Sequence, residues 1–192
     1  MKPQRPKTVQ YRRKRELRTN YTKRLQTLLS GKPRLVVRMT NTQVLAQVVE
    51  FTTGGDRVLA AVTGKGLRDL GWTYSCKNTP ASYLTGLLIG KVAVKKKIHN
   101  VILDTGVATP LHKGRLYAFL RGALDGGLVI PHDSEKEIFP VQERIEGKHI
   151  STHAAMVKGK DALQYAQYLK SDASAPQKIS VEFAAVKKKI MA

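Results

Sequence analysis

The sequence predicts an α/β fold: a mixed five-stranded sheet in the chain order β-β-β-α-β-α-β, flanked by helices, with a basic N-terminal arm and helix before it and a helical C-terminal extension after it. Three observations predict it. Residues 34–39, 43–51 and 57–63 are Leu- and Val-rich runs separated only by short polar turns. Two helix-period segments follow, from Thr79 and from Gly114. Each leads into a short apolar run, Val101-Ile102-Leu103 and Leu128-Val129-Ile130, the pattern of a strand entering a sheet after a crossover helix.

Taken in order, the chain opens on an arm. Eleven basic residues lie between Met1 and Lys32 against one acid, Glu16, so this segment carries half of the net charge of +20. A block of like charges repels itself and finds no partner on an already basic chain, which points to an external polyanion. Leu17, Tyr21, Leu25, Leu28 and Leu29 recur at helical spacing and read as an apolar stripe that anchors the arm to a folded body. Ser30-Gly31-Lys32-Pro33 stops that helix. Thr40-Asn41-Thr42 joins the first two β-runs, and Thr53-Gly54-Gly55-Asp56 supplies the positive-φ positions of a hairpin between the second and third. Thr79 reads as a cap with Pro80 behind it, Leu84, Leu87, Leu88 and Val92 as the buried stripe, and Lys95-Lys96-Lys97 as the complement of the helix dipole. In the second helix Leu116, Phe119, Leu120, Ala123 and Leu124 point inward, and Gly126-Gly127 ends it. Past Pro131 come a possible capping box at Ser134 and Glu137, a helix candidate at 161–170 and a basic tail, Lys187-Lys188-Lys189. The expected organisation is an arm and helix at 1–33, an α/β body at 34–132 and a C-terminal helical extension at 133–192.

Composition narrows the partners. Lys and Arg number 34 against 14 acids, and the isoelectric point is about 10.2. Nucleic acid is the first candidate for such a field and an anionic membrane the second. The longest apolar run, Leu84 to Val94, contains Lys91 and is too short to span a bilayer. No apolar segment follows the N-terminal charges as in a signal peptide, and one cysteine, Cys76, fits a reducing compartment, so a cytoplasmic protein is expected.

Several patterns resemble catalytic chemistry. Asp104-Thr105-Gly106 after an apolar strand is the triplet of aspartic proteases, which need two such carboxylates sharing a proton; one copy between helices reads instead as a strand end and turn, with Asp104 replaceable by Asn. His149 and His153 stand four apart but lack the Glu of a zinc-protease helix. Gly86-Leu-Leu-Ile-Gly90-Lys91 is too short for a phosphate loop and lies in a helix. No catalytic residue, metal or cofactor is expected, and no small-molecule substrate. The basic residues of the body are more informative. Arg34 and Arg38 share a parity and so one face of the first strand, and Lys113-Gly114-Arg115 precedes a helix N-terminus suited to phosphate. Tyr11, Tyr21 and Trp72 are candidates for base stacking.

These residues also carry a resemblance. Tyr11 to Tyr21, Lys32 to Arg38, Ala81 to Leu88, Gly114 to Ala118, Gly122 to His132 and Lys148-His149-Ile150 are similar to the L-eighteen family of large-subunit ribosomal proteins, called L-five in eukaryotes, and nearly the whole chain is covered. The extension past His132 resembles archaeal and eukaryotic members. The resemblance implies a non-enzymatic α/β protein that binds 5S ribosomal RNA and joins it to the large (23S-type) ribosomal RNA beside neighbouring large-subunit proteins. By position it implies RNA contact for Arg12, Arg13, Lys14, Arg15, Arg18, Tyr21, Lys23, Arg24, Arg38, Asn41, Lys113 and Arg115; Arg34 is added from its shared face with Arg38. Two departures stand out: Asn20 where many relatives have Asp, and Thr42-Gln43 where many have Lys-His.

Overall fold

In the computed structural model, which describes residues 8–133, 137–157, 165 and 176–192, the meander forms where the turn residues place it. Strands β1 (Arg34–Met39), β2 (Val44–Thr52) and β3 (Gly55–Thr63) pair antiparallel, with Leu35 opposite Val48 and Val37 opposite Ala46. Gly55 at φ 134° makes the β2–β3 turn, a conformation that a side chain would oppose. After a crossover, β4 (Ile102–Asp104) joins parallel to β1, giving the order β3-β2-β1-β4.

The fifth strand does not form. Leu128–Ile130 makes only one parallel bridge, Asn100 to Val129, with the Val129 N–H donating to His99 O and the Val101 N–H to Val129 O. The ladder stops there because its next bond would need an N–H from Pro131, which has none to offer. Leu128 and Ile130 are nonetheless buried, so the segment contributes side chains to the core and not a strand to the sheet.

One face of the sheet is covered by α3 (Thr79–Lys95) and α4 (Arg115–Asp125). Leu35, Val37, Ala46 and Val48 meet Ile89, Ala93, Phe119, Leu120 and Ala123 in this first core. The cap of α3 falls one residue earlier than the sequence suggests: Asn78 Oδ1 accepts from the Ala81 N–H, leaving Thr79 and Pro80 in the first turn. More of α3 is buried than one stripe because it has a second cover. Helix α7 (Ile179–Met191) presents Ile179, Phe183, Val186 and Ile190 to Tyr83, Leu84, Leu87 and Trp72, with Ile145 of α5 (Gln142–Ile145) beside them. The lysines of the basic tail therefore lie on a packed helix. Lys189 Nζ donates to Leu70 O at 2.8 Å, and Lys187 sits 5.3 Å from the Tyr83 ring centre. Trp72, a stacking candidate by sequence, is 1% exposed in this core and donates to Ser75 O, so it has no face to offer a base. The capping box at 134–137 and the helix candidate at 161–170 fall largely outside the described residues.

Glycines set how closely α3 and α4 approach. A Cβ on Gly86 would lie 2.0 Å from Phe119 O, and one on Gly122 2.1 Å from Tyr83 O. Gly90 and Gly126 repeat the contact one turn on, each 2.9 Å from the other's Cα by the same measure. The Gly86-x-x-x-Gly90 spacing is thus half of a backbone-to-backbone helix contact whose other half is Gly122-x-x-x-Gly126. Gly122→Ala is expected to cost at least about 3 kcal/mol, since backbone must move to admit the methyl. Gly54→Ala, with open space around it, should stay within about 0.5 kcal/mol of the parent in the same denaturant titration.

Candidate nucleic-acid interface

The other face of the sheet is open, and the arm lies over it. Alternation along β1 sends Leu35 and Val37 into the core and Arg34, Val36 and Arg38 to this face. Helix α2 (Tyr21–Leu29) crosses above, started by Asn20, whose Oδ1 accepts from the Lys23 N–H. Between helix and sheet is a cleft of about 360 Å³ lined by Arg13, Arg18, Lys23, Arg24, Arg34 and Arg38, against two acids, Asp56 and Asp104.

Those two acids organise the cations. Arg24 Nη2 reaches Asp56 Oδ2 at 2.8 Å, and Arg34 Nη2 approaches the same oxygen at 2.9 Å, an ion contact without the alignment of a hydrogen bond. Arg34 Nη1 donates to Asp104 Oδ2 at 2.8 Å, and Arg38 Nη1 donates to Asp104 O at 2.9 Å. Asp104 Oδ1 accepts the Gly106 N–H at 2.8 Å. Gly106, at φ 66°, lies under the Arg38 guanidinium, where a Cβ would come within 2.9 Å. The Asp104-Thr105-Gly106 triplet is therefore a fixture for arginines: a carboxylate that holds two of them and a glycine that seats one.

Arg34 differs from its neighbours. Its side chain is 3% exposed and closed in by Asp56 and Asp104, so it presents no surface to a phosphate. The parity argument put it on the right face, where acids distant in sequence enclose it. Arg38 stays 45% exposed. Arg24 is half committed, to Asp56.

The helix stripe is corrected as well. Leu25 and Leu29 are 60% and 78% exposed, and α2 buries no residue completely. Tyr21, Arg24, Thr27 and Leu28 are the half-buried positions, so two stripe residues and one ion-paired arginine hold the helix to the rest of the protein. Leu17 falls before the helix, at the end of α1 (Arg12–Arg15). Arg12 and Arg18 flank Glu16 at 3.4 and 3.2 Å with most of their side chains in water, and Arg13 Nε donates to Thr19 Oγ1. Lys14, Arg15 and Lys23 form no ion pair among the described residues, and Tyr21 packs on Tyr11 with ring centres 5.2 Å apart.

The remaining candidates lie outside the cleft. Asn41 is exposed in the β1–β2 turn, which Thr40 ties to Gln43. Gln43 Oε1 accepts the Lys65 N–H and so faces the protein. Lys113, at φ 55°, donates from Nζ to Glu137 Oε2 at 2.9 Å, and Arg115 Nη1 donates to Lys77 O at 3.0 Å. His149 and His153 share α6 (Lys148–Met156), and His153 Nδ1 is 2.8 Å from Tyr165 Oη. Partial burial and the neighbouring Arg144 hold the His149 imidazole below its ordinary range. Sequence reasoning missed Asp56, Asp104 and Gly106 as parts of the site. The available signal was Asp104 ending an apolar strand beside one that carries two arginines.

Two outcomes follow from the relay. Asp104→Asn, a harmless change by sequence alone, keeps an acceptor for the Gly106 N–H but leaves the enclosed Arg34 with a neutral neighbour, and denaturant titration should show a loss of about 3 kcal/mol. Burial raises the Asp56 pKa, but its contacts with Arg34 and Arg24 outweigh this and hold it below the ordinary 3.8. A carboxylate with a depressed pKa contributes stability above its unfolded value and loses it as pH falls through the folded one. The thermal midpoint should therefore fall below about pH 4, and fall less in Asp56→Asn.

The family described as ribosomal large subunit proteins 60S L5 and 50S L18 matches residues 5–100. The large ribosomal subunit protein uL18 of Methanosphaera stadtmanae is 40% identical over 183 residues, spanning 95% of this chain and 93% of that protein. Its counterpart in Caldivirga maquilingensis is 42% identical over 188 residues, spanning 95% and 89%. The arginine-lined sheet face and its basic arm thus sit within a chain that belongs to the family of ribosomal large subunit proteins 60S L5 and 50S L18.

Proposed function

We propose that this constituent of the large ribosomal subunit is a scaffold that binds 5S ribosomal RNA and fastens it to the large (23S-type) ribosomal RNA and to neighbouring subunit proteins, with no catalytic step of its own. The observation that carries the reading is the convergence of Arg13, Arg18, Lys23 and Arg38 on one open cleft, continued along the arm by Arg12, Lys14 and Arg15. Close-packed phosphates resist RNA folding, and a row of cations on a fixed frame relieves that repulsion at one place. Double-stranded RNA offers proteins phosphates, 2′-OH groups and a shallow minor groove, so the cleft reads shape, and unpaired bases add selectivity. Arg24 serves both the RNA and Asp56. Arg34 positions its neighbours without touching RNA. Asn41, Lys113 and Arg115 extend the contact to the body, Lys113 exchanging Glu137 for a phosphate. In this reading residues 1–33 grip RNA, 34–132 aim them, and 133–192 buttress the body through α7.

Deleting residues 1–18 removes eight basic residues and one acid. The core-forming residues are retained, so the thermal midpoint should stay near that of the parent. With about half of the lost cations on phosphates, the slope of log affinity for a 5S RNA transcript against log salt should shrink by roughly 3 units. Some preference for 5S RNA over transfer RNA should persist. An unchanged slope would contradict the role given to the arm, and equal affinity for 5S RNA, transfer RNA and DNA in the parent would contradict the assignment of 5S RNA.

A further inference from the structure

The end of α1 is built in a way that folding does not explain. The Arg18 N–H donates to Arg13 O and the Leu17 N–H to Lys14 O, the pair of bonds that closes a helix through a left-handed residue. Glycine is the usual occupant of that position, yet here it is Leu17, at φ 52°. Its side chain gains nothing from the protein in return, for it is 79% exposed. Tyr11 at 73% and Val107 at 50% exposure are also open. Leu17, Tyr21 and Val107 line a recess of about 220 Å³ with Thr19 and Asn20, and Lys14 is the cation among its walls.

We propose that this recess takes a single unpaired nucleobase of the bound RNA, set on Leu17, Tyr21 and Val107. The proposal rests on the RNA-binding reading above and names what the arm recognises besides phosphate. Charge complementarity selects the occupant. Lys14 lines the recess, and Arg12, Arg13, Arg15 and Arg18 belong to the same short segment, whose charge draws a polyanion to it; a base is the part of a polyanion that has an apolar face. A paired base cannot enter, because its faces are stacked in the duplex, whereas a looped or bulged one can be splayed onto an aromatic ring. The polar groups suit a base edge. Asn20 Oδ1 is committed to the Lys23 N–H, which leaves the Asn20 amide NH2 as a donor beside the apolar floor.

Leu17→Gly tests this without endangering the fold, since glycine is at ease at φ 52°. The probe is a 5S RNA transcript, read by fluorescence anisotropy over a salt series and by dimethyl sulfate reactivity of its unpaired adenines and cytosines. Affinity should fall about tenfold in Leu17→Gly, the loss of one stacked base, while the salt slope stays that of the parent. At least one unpaired base should be protected by the parent and reactive with the variant. Lys14→Ala should instead reduce the slope by about 0.7–0.9. If the parent binds the transcript and Leu17→Gly matches it in affinity and footprint, the recess serves an apolar side chain of a neighbouring protein or nothing, and the proposal is overturned. Failure of the parent to bind the transcript at all would overturn the RNA-binding reading and the recess with it.

Discussion

The arrangement of the open face depends on the enclosed guanidinium of Arg34. Two carboxylates contributed by other strands, Asp56 from β3 and Asp104 from β4, close on it from either side. Each then reaches one further arginine, Arg24 on the helix above and Arg38 further along β1. Removing a charge from water is costly, and an enclosed ion pair often stabilises a fold no better than an apolar pair of the same volume. What it supplies here is geometry. A chain of arginine, aspartate, arginine, aspartate, arginine runs across the sheet and upward to α2, so the helix cannot slide without parting opposite charges. In so basic a molecule, two acids spent on this purpose set where the remaining cations point.

Rigidity beneath that face comes from the helical layer. The glycine contacts of α3 and α4 bring backbone against backbone, and close-packed interiors resist deformation. Helix α7 closes the far side of α3, with Tyr83 donating its hydroxyl proton to Asp125 at 2.7 Å and its ring packed on Phe183. Glu182 ties the same helix to Thr73 through both carboxylate oxygens. The C-terminal segment is thereby continuous with the body that carries the cleft, while the arm makes few contacts of its own. That division suits a protein whose frame is complete before its ligand arrives and whose arm gains its partners from the ligand.

Most of the frame was legible in the sequence because it rests on local rules. Turn residues at 40–42 and 53–56 and strand-period apolar runs define a meander without outside help. Where the reading failed, the deciding partner lay far along the chain. Leu128–Ile130 has the composition of a strand, but its pairing with residues 99–101 ends where Pro131 brings no N–H to the ladder. Periodicity along α2 does not say what covers each residue of the stripe: Tyr21 and Leu28 are half-buried, while Leu25 and Leu29 stay exposed. Trp72 read as a stacking candidate, but α7, more than a hundred residues away, covers it. Arg34 shows both halves in one residue: parity along β1 fixed its face, and Asp104, 70 residues on, fixed its fate.

The central claim is that this ion relay holds α2 and the arm in one orientation before RNA binds. Pulsed electron spin resonance between spin labels at Leu29→Cys and Thr63→Cys measures that orientation directly, since both positions are exposed and the native Cys76 is buried. The account predicts one narrow distance distribution in the parent background and a broad one when Asp56→Asn is added, with the body still folded. An equally narrow distribution in both would show that α2 is held by something other than the relay.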